Sequence, residues 1–121
     1  MTRVLFVCPH NADRSPAAQA FFERRGGEAR SAGPDPAVEL LPVVVDALAE
    51  IGVDLSGRRP ARLSAADVEW ADVVVTMDCA CPVIPGRTYL DWRIADPVGL
   101  CLEEARELCS AIEQRVAGLP L

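Results

Sequence analysis

Val4-Leu5-Phe6-Val7 runs straight into Cys8-Pro9-His10-Asn11-Ala12-Asp13-Arg14-Ser15 and then into Pro16-Ala17-Ala18-Gln19-Ala20. The four apolar residues read as a buried strand, expected over about Thr2 to Val7. Ser15 suits a helix cap and Pro16 a first helical turn, which predicts a helix from about Ser15 to Arg25, stopped at Gly26-Gly27. Strand, short loop and helix gather backbone N–H groups around an oxyanion, with the helix dipole behind them. A thiol at the first loop position aims a nucleophile at that anion. The same amides, with Arg14 beside them, predict that Cys8 stands as a thiolate at neutral pH.

Apolar runs and amphipathic stretches alternate along the rest of the chain, the pattern of an α/β fold. Further strands are expected over Glu28 to Ser31, Asp72 to Thr76 and Thr88 to Ile94. Helices are expected from Pro36 to Ile51 (or from near Leu41, because Pro42 interrupts the span), from Ser64 onward and from Leu100 to Val116. The predicted architecture is a four-stranded parallel sheet, order 2-1-3-4, flanked by helices on both faces. Ligands of such sheets bind beyond the carboxyl ends of the strands. Cys8, the Cys79-Ala80-Cys81 segment and Asp96-Pro97 all fall there.

The 121 residues fit one domain, 1–121. The net charge of −6, with arginine as every basic residue, gives no support for nucleic-acid binding, so anion capture has to be local. No apolar run reaches the ~20 residues a bilayer span needs, and no signal segment is read, so a cytoplasmic monomer is expected. Five cysteines, an odd number, speak against a secreted disulfide framework.

Among the loop residues 9–15, Arg14 has the planar fork that clamps two oxygens of a tetrahedral anion. Asn11 tolerates positive φ and holds loop shape, and Ser15 can donate to the Cys8 sulfur. His10, the lone histidine, is read as lining the loop or facing solvent rather than as a base. Asp13 repels an anion unless it points outward or caps the helix. Pro9 and Ala12 complete the loop read as the oxyanion cradle, Ala12 through its backbone N–H and Pro9 by fixing the loop's course. Asp96 is either a general acid for a departing oxygen or a plain Asp-Pro turn. Cys79 and Cys81 are either electron-donating thiols or incidental loop cysteines; one histidine and a Cys-x-Cys make a zinc site a poor reading, and no metal is expected. Cys101 and Cys109 are expected to pack in the core along the last helix.

Val4-Leu5-Phe6-Val7-Cys8 with Asn11 and Arg14-Ser15, Ser31-Ala32-Gly33, Gly52-Val53-Asp54-Leu55-Ser56, Asp72 to Met77 and Asp96-Pro97 resemble the low-molecular-weight protein tyrosine phosphatase superfamily. Cys81-Pro82-Val83-Ile84-Pro85 with Trp92 and Asp96-Pro97-Val98-Gly99 resembles its thioredoxin-coupled arsenate reductases. The resemblance implies Cys8 as nucleophile, Arg14 as clamp, Asp96 as acid, and Cys79 and Cys81 as relay thiols. It implies no bound cofactor and an external reductant, either thioredoxin or mycoredoxin, or a small thiol such as mycothiol. The departures are Val98 where the phosphatases carry an aromatic, a short relay loop, and Gln19 where potassium-binding members carry Glu. A phosphatase working through a phosphocysteine and a thiol-based arsenite- or oxyanion-binding module remain as alternatives.

Overall fold

The computed structural model describes residues 2–120. In chain order the elements are β1 (Arg3–Val7), α1 (Arg14–Arg24), β2 (Glu28–Ala32), α2 (Pro42–Glu50), α3 (Ala65–Trp70), β3 (Val73–Met77), β4 (Thr88–Trp92) and α4 (Leu102–Ala117). The strands form one sheet in the order β2-β1-β3-β4, all parallel. The expected order is therefore the observed one. β1 sits between β2 and β3, and its Val4 to Val7 are fully buried, which is why that run has no polar alternation.

Side chains leave a strand on alternate faces, and the two faces make two cores. Val4, Phe6, Val73 and Val75 pack with Phe21, Phe22, Leu48, Leu108 and Ile112 from α1, α2 and α4. Phe6 lies edge-on to Phe22 at 6.1 Å and against Trp92 at 5.9 Å. Leu5, Val7 and Val74 face the other way, onto Val68 of α3 and Ala71. Helices do cover both faces, three on one and one on the other.

Three expectations need correction. The second helix starts at Pro42 with Leu41 as its cap, so of the two expected starts the one near Leu41 holds and the one at Pro36 does not. Proline at the first turn lacks only an N–H that has no helical partner there. The amides upstream of it bond elsewhere: Asp35 N–H to the Pro9 carbonyl, Ala37 N–H to that of His10 and Leu41 N–H to that of Ala12. Residues 35–41 are thus a strap on the Cys8 loop. The fourth strand stops at Trp92, opposite Met77 where its partner ends, so Ile94 lies beyond the sheet. Cys109 is buried as expected, but Cys101 is exposed, because α4 begins after it and it is the capping residue rather than part of the apolar stripe.

Candidate active site

β1 ends at the centre of the sheet and delivers Cys8 to its carboxyl edge. Cys8 is buried, with Sγ 2.9 Å from Ser15 Oγ, 3.4 Å from Ser15 N and 3.6 Å from Asp13 Oδ1. Asn11 turns the loop at φ 48°, a left-handed conformation that asparagine accepts at low cost. Its side chain joins two segments: Oδ1 accepts from Ala61 N–H at 2.8 Å and Nδ2 donates to Ser15 Oγ at 2.7 Å. The Ala61 amide fixes which end of Asn11 is oxygen. Asn11 is then the donor to Ser15, and the Ser15 hydroxyl proton has Cys8 Sγ as its acceptor.

Gly33, just past β2, lies under the loop. A Cβ there would stand 2.6 Å from the Cys8 carbonyl oxygen and 2.8 Å from both Asn11 N and the Pro9 carbonyl oxygen. Its own N–H and carbonyl are held by Ala61 and Leu63. The sequence pointed to Gly33 only as part of the Ser31-Ala32-Gly33 stretch; its close approach to the loop is visible only in three dimensions.

Arg14 is 1% exposed. Nε donates to Asp13 Oδ1 at 3.2 Å, Nη1 donates to the Ile94 carbonyl at 3.0 Å, and Nη1 lies 3.5 Å from Asp78 Oδ2. It thereby ties the loop to the ends of β3 and β4. Sequence reasoning missed Asp78 and the Ile94 carbonyl. A carbonyl carries no sequence signal, whereas Asp78 is a carboxylate just after a predicted strand, at the sheet end where ligands bind.

Asp13 caps α1, accepting the Arg14 N–H, yet it does not turn outward. It is 3% exposed, and the oxygen that caps the helix is the one facing Cys8 and Arg14 Nε. That carboxylate works against the thiolate that the Ser15 groups and Arg14 favour. Burial pushes the Cys8 thiol up first and the Asp13 carboxylate pushes it further; the Ser15 hydroxyl, the Ser15 N–H and Arg14 pull it down by less.

The remaining candidates fall around this loop. His10 Nδ1 contacts the Asp35 carbonyl oxygen at 2.8 Å, half-exposed, in keeping with a solvent-facing role. Asp96 is exposed and its Oδ1 accepts from Val98 N–H at 3.0 Å; its charge also acts on Arg14. Cys79 and Cys81 are half-buried after β3. The Cys79 thiol is pushed up to about 11, chiefly by burial, with the charges of Cys8 and Cys81 adding repulsion. Burial alone raises Cys81. A cleft lined by Asp78, Cys79, Trp92 and Ile94 opens at this side. Gln19 Oε1 accepts from Ser31 Oγ at 2.6 Å and Nε2 donates to the Ala29 carbonyl at 3.3 Å, so protein groups already occupy the polar atoms at the Glu-to-Gln departure.

Known proteins resemble this chain in sequence and fold. The structure of a thioredoxin-dependent arsenate reductase from Corynebacterium glutamicum superposes with a TM-score of 0.85 at 37% identity; the match covers 98% of this chain and 60% of that one. An arsenate reductase from Archaeoglobus fulgidus gives a TM-score of 0.83 at 33% identity, over 96% of this chain and 97% of the other. The glutaredoxin arsenate reductase of a Synechocystis species is 28% identical over 128 residues, 98% of this chain and 96% of that protein. The family model for low molecular weight phosphotyrosine protein phosphatase matches residues 3–120. With its Cys-x5-Arg-Ser loop on a 2-1-3-4 parallel sheet, this chain belongs to the low molecular weight phosphotyrosine protein phosphatase family.

Proposed function

We propose that this chain is an arsenate reductase that uses Cys8 as nucleophile and an external thiol reductant. The observation that supports the reading is geometric: Cys8 and Cys79 follow the adjacent parallel strands β1 and β3 at the same end of the sheet, and Arg14 of the Cys8 loop lies 3.5 Å from Asp78, the residue before Cys79. A phosphatase has no use for that second sulfur.

Loop amides and Arg14 hold arsenate against Cys8. Sγ attacks As(V), an S–As bond forms and an As–O bond breaks, and Asp96 protonates the departing oxygen, which leaves as water. Cys79 then attacks Cys8 Sγ, its thiol proton passing to an oxygen of the departing arsenic group. A disulfide forms, the S–As bond breaks with its electron pair going to arsenic, and arsenite leaves as As(III). Two thiol sulfurs have been oxidised and arsenic reduced by two electrons. Cys81, two residues on, offers a second acceptor through which a dithiol protein can reopen the Cys8–Cys79 bond. A thioredoxin- or glutaredoxin-type protein is the expected partner, with mycothiol-type small thiols as the alternative donor.

Site-resolved mass spectrometry after one arsenate turnover tests this. The wild type should give a Cys8–Cys79 disulfide. Cys81→Ser should still give it, while Cys79→Ser should stop at the Cys8 adduct. If arsenate turnover with either protein reductant is untouched by removing both loop thiols, the intramolecular relay is wrong. Rapid hydrolysis of an aryl phosphate without thiol-dependent arsenate reduction would favour the phosphatase reading instead.

A further inference from the structure

Among the described residues, two other than glycine take a positive φ, and both stand at the active site. Asn11 shapes the Cys8 loop. Asp78, at φ 65°, turns the chain out of β3 directly before Cys79. Val7 of β1 pairs with Thr76 of β3, so Cys8 and Met77 leave the sheet side by side, and Asp78 and Cys79 come next. The Asp78 side chain is 71% exposed, and its one polar partner among the described residues is Arg14 Nη1 at 3.5 Å. Arg14 is buried and fixed, by Asp13 at Nε and by the Ile94 carbonyl at Nη1. Its Nη2 bonds to no protein atom among the described residues and is not sealed off, so it stays open to an oxyanion while Nη1 holds Asp78. An exposed carboxylate on a strained turn is thus tied to a buried cation, one residue from the second thiol.

We propose that Asp78 is a positioning residue for the second step of the reductase reaction, and the proposal rests on that reading: the ion pair with Arg14 holds the Cys79 segment at the Cys8 loop, so that the second sulfur stands within reach of Cys8 Sγ while the clamp holds the anion. In that step Cys79 attacks Cys8 Sγ and the S–S bond forms. The S–As bond breaks with its electron pair going to arsenic, and the thiol proton passes to an oxygen of the departing group. Asp78 touches none of these atoms; it acts through Arg14, on distance. Without the ion pair the segment is free to swing into the cleft of about 590 Å³ on the β4 side, lined by Asp78, Cys79, Asp91, Trp92 and Ile94.

The charge of Asp78 acts in the opposite sense. A carboxylate beside Cys79 disfavours its thiolate and repels an oxyanion, so removing the charge by itself speeds both steps. A slower second step therefore reports lost position.

Asp78→Asn is the test, because asparagine accepts the left-handed backbone and keeps the side-chain size while losing the ion pair. Asp78→Gly, which takes that turn freely, is a second variant with the same expectation; thermal melts check the fold of both. Formation of the Cys8 adduct, followed in a Cys79→Ser background, should be unchanged or faster. Single-turnover formation of the Cys8–Cys79 disulfide at saturating arsenate, read by rapid quench and site-resolved mass spectrometry, should be about tenfold slower, since a displacement near 1 Å costs up to ~100-fold. A disulfide rate unchanged or raised overturns the proposal, as does a first step slowed to the same degree. A second arm does not depend on arsenate. In a glutathione redox buffer, the equilibrium ratio of the Cys8–Cys79 disulfide to the dithiol should fall about tenfold in Asp78→Asn. If the wild type forms this bond in the buffer but not with arsenate, the reductase reading fails and the positioning role stands. If the ratio is the same in wild type and variant, or if the wild type never forms the bond, the positioning role fails.

Discussion

Gly33→Ala should damage the active site from outside it. The added Cβ would meet three backbone atoms of the loop at 2.6 to 2.8 Å, against 3.4 Å or more for an ordinary contact. Backbone cannot rotate away as a side chain can, so the Cys8 loop or the end of β2 must move by about 0.6–0.8 Å. Overpacking of this kind costs about 1–3 kcal/mol, or roughly 4–12 °C of melting temperature for a chain of this length. Catalysis should suffer more than stability. A displacement near 1 Å of a positioned group costs up to ~100-fold, so kcat/KM for arsenate should fall about 10- to 100-fold. Gly118→Ala is the control: its Cβ has ordinary contacts at 3.5 and 3.7 Å, and its φ of −88° suits alanine. Thermal melts and coupled arsenate turnover on both variants decide the matter. A Gly33→Ala protein with activity within twofold of wild type would show that the close approach does not shape the loop.

Two further outcomes follow from the geometry. Asn11→Ala removes a buried hydrogen bond to Ser15 and a part-buried one from Ala61, and places alanine at φ 48°; a loss of about 2–4 kcal/mol is expected, and a denaturant midpoint close to wild type would refute it. Cys109 is buried in α4 and its thiol is pushed up to about 11. The folded chain then holds this proton to higher pH than the unfolded chain, so its contribution is intact below about pH 9 and is lost as pH rises to about 11, at roughly 1 kcal/mol per pH unit at most. The destabilisation caused by Cys109→Ala should therefore shrink between pH 8 and pH 10.5 in urea titrations, and a constant gap would be against it.

What was legible in the sequence was what local pattern encodes. Val4 to Val7 and Val73 to Val75 are buried on both faces, so their continuous apolar character identifies central parallel strands without ambiguity. The Cys-x5-Arg-Ser spacing located the site. The errors arose where one residue type serves two purposes. Pro36 and Pro42 both look like helix starts; only the loop carbonyls at residues 9, 10 and 12, invisible in sequence, explain why the chain between them stays extended. Asp13 is a helix cap by spacing, but its direction is set by Arg14 and Cys8. A rule that counts the helix dipole and an arginine leaves this carboxylate beside the sulfur out of account. Cys101 fits a helical stripe by number and lies one residue outside the helix.

That last displacement has a practical side. Any reagent added to count sulfhydryls, or any oxidant in the surrounding medium, meets position 101 on the open surface before it meets the shielded Cys8. Bulk measurements of oxidation will thus register a bystander first, and covalent dimers linked through it would mimic a redox response of the enzyme. Replacing that residue by serine is the prerequisite for following the working sulfurs alone.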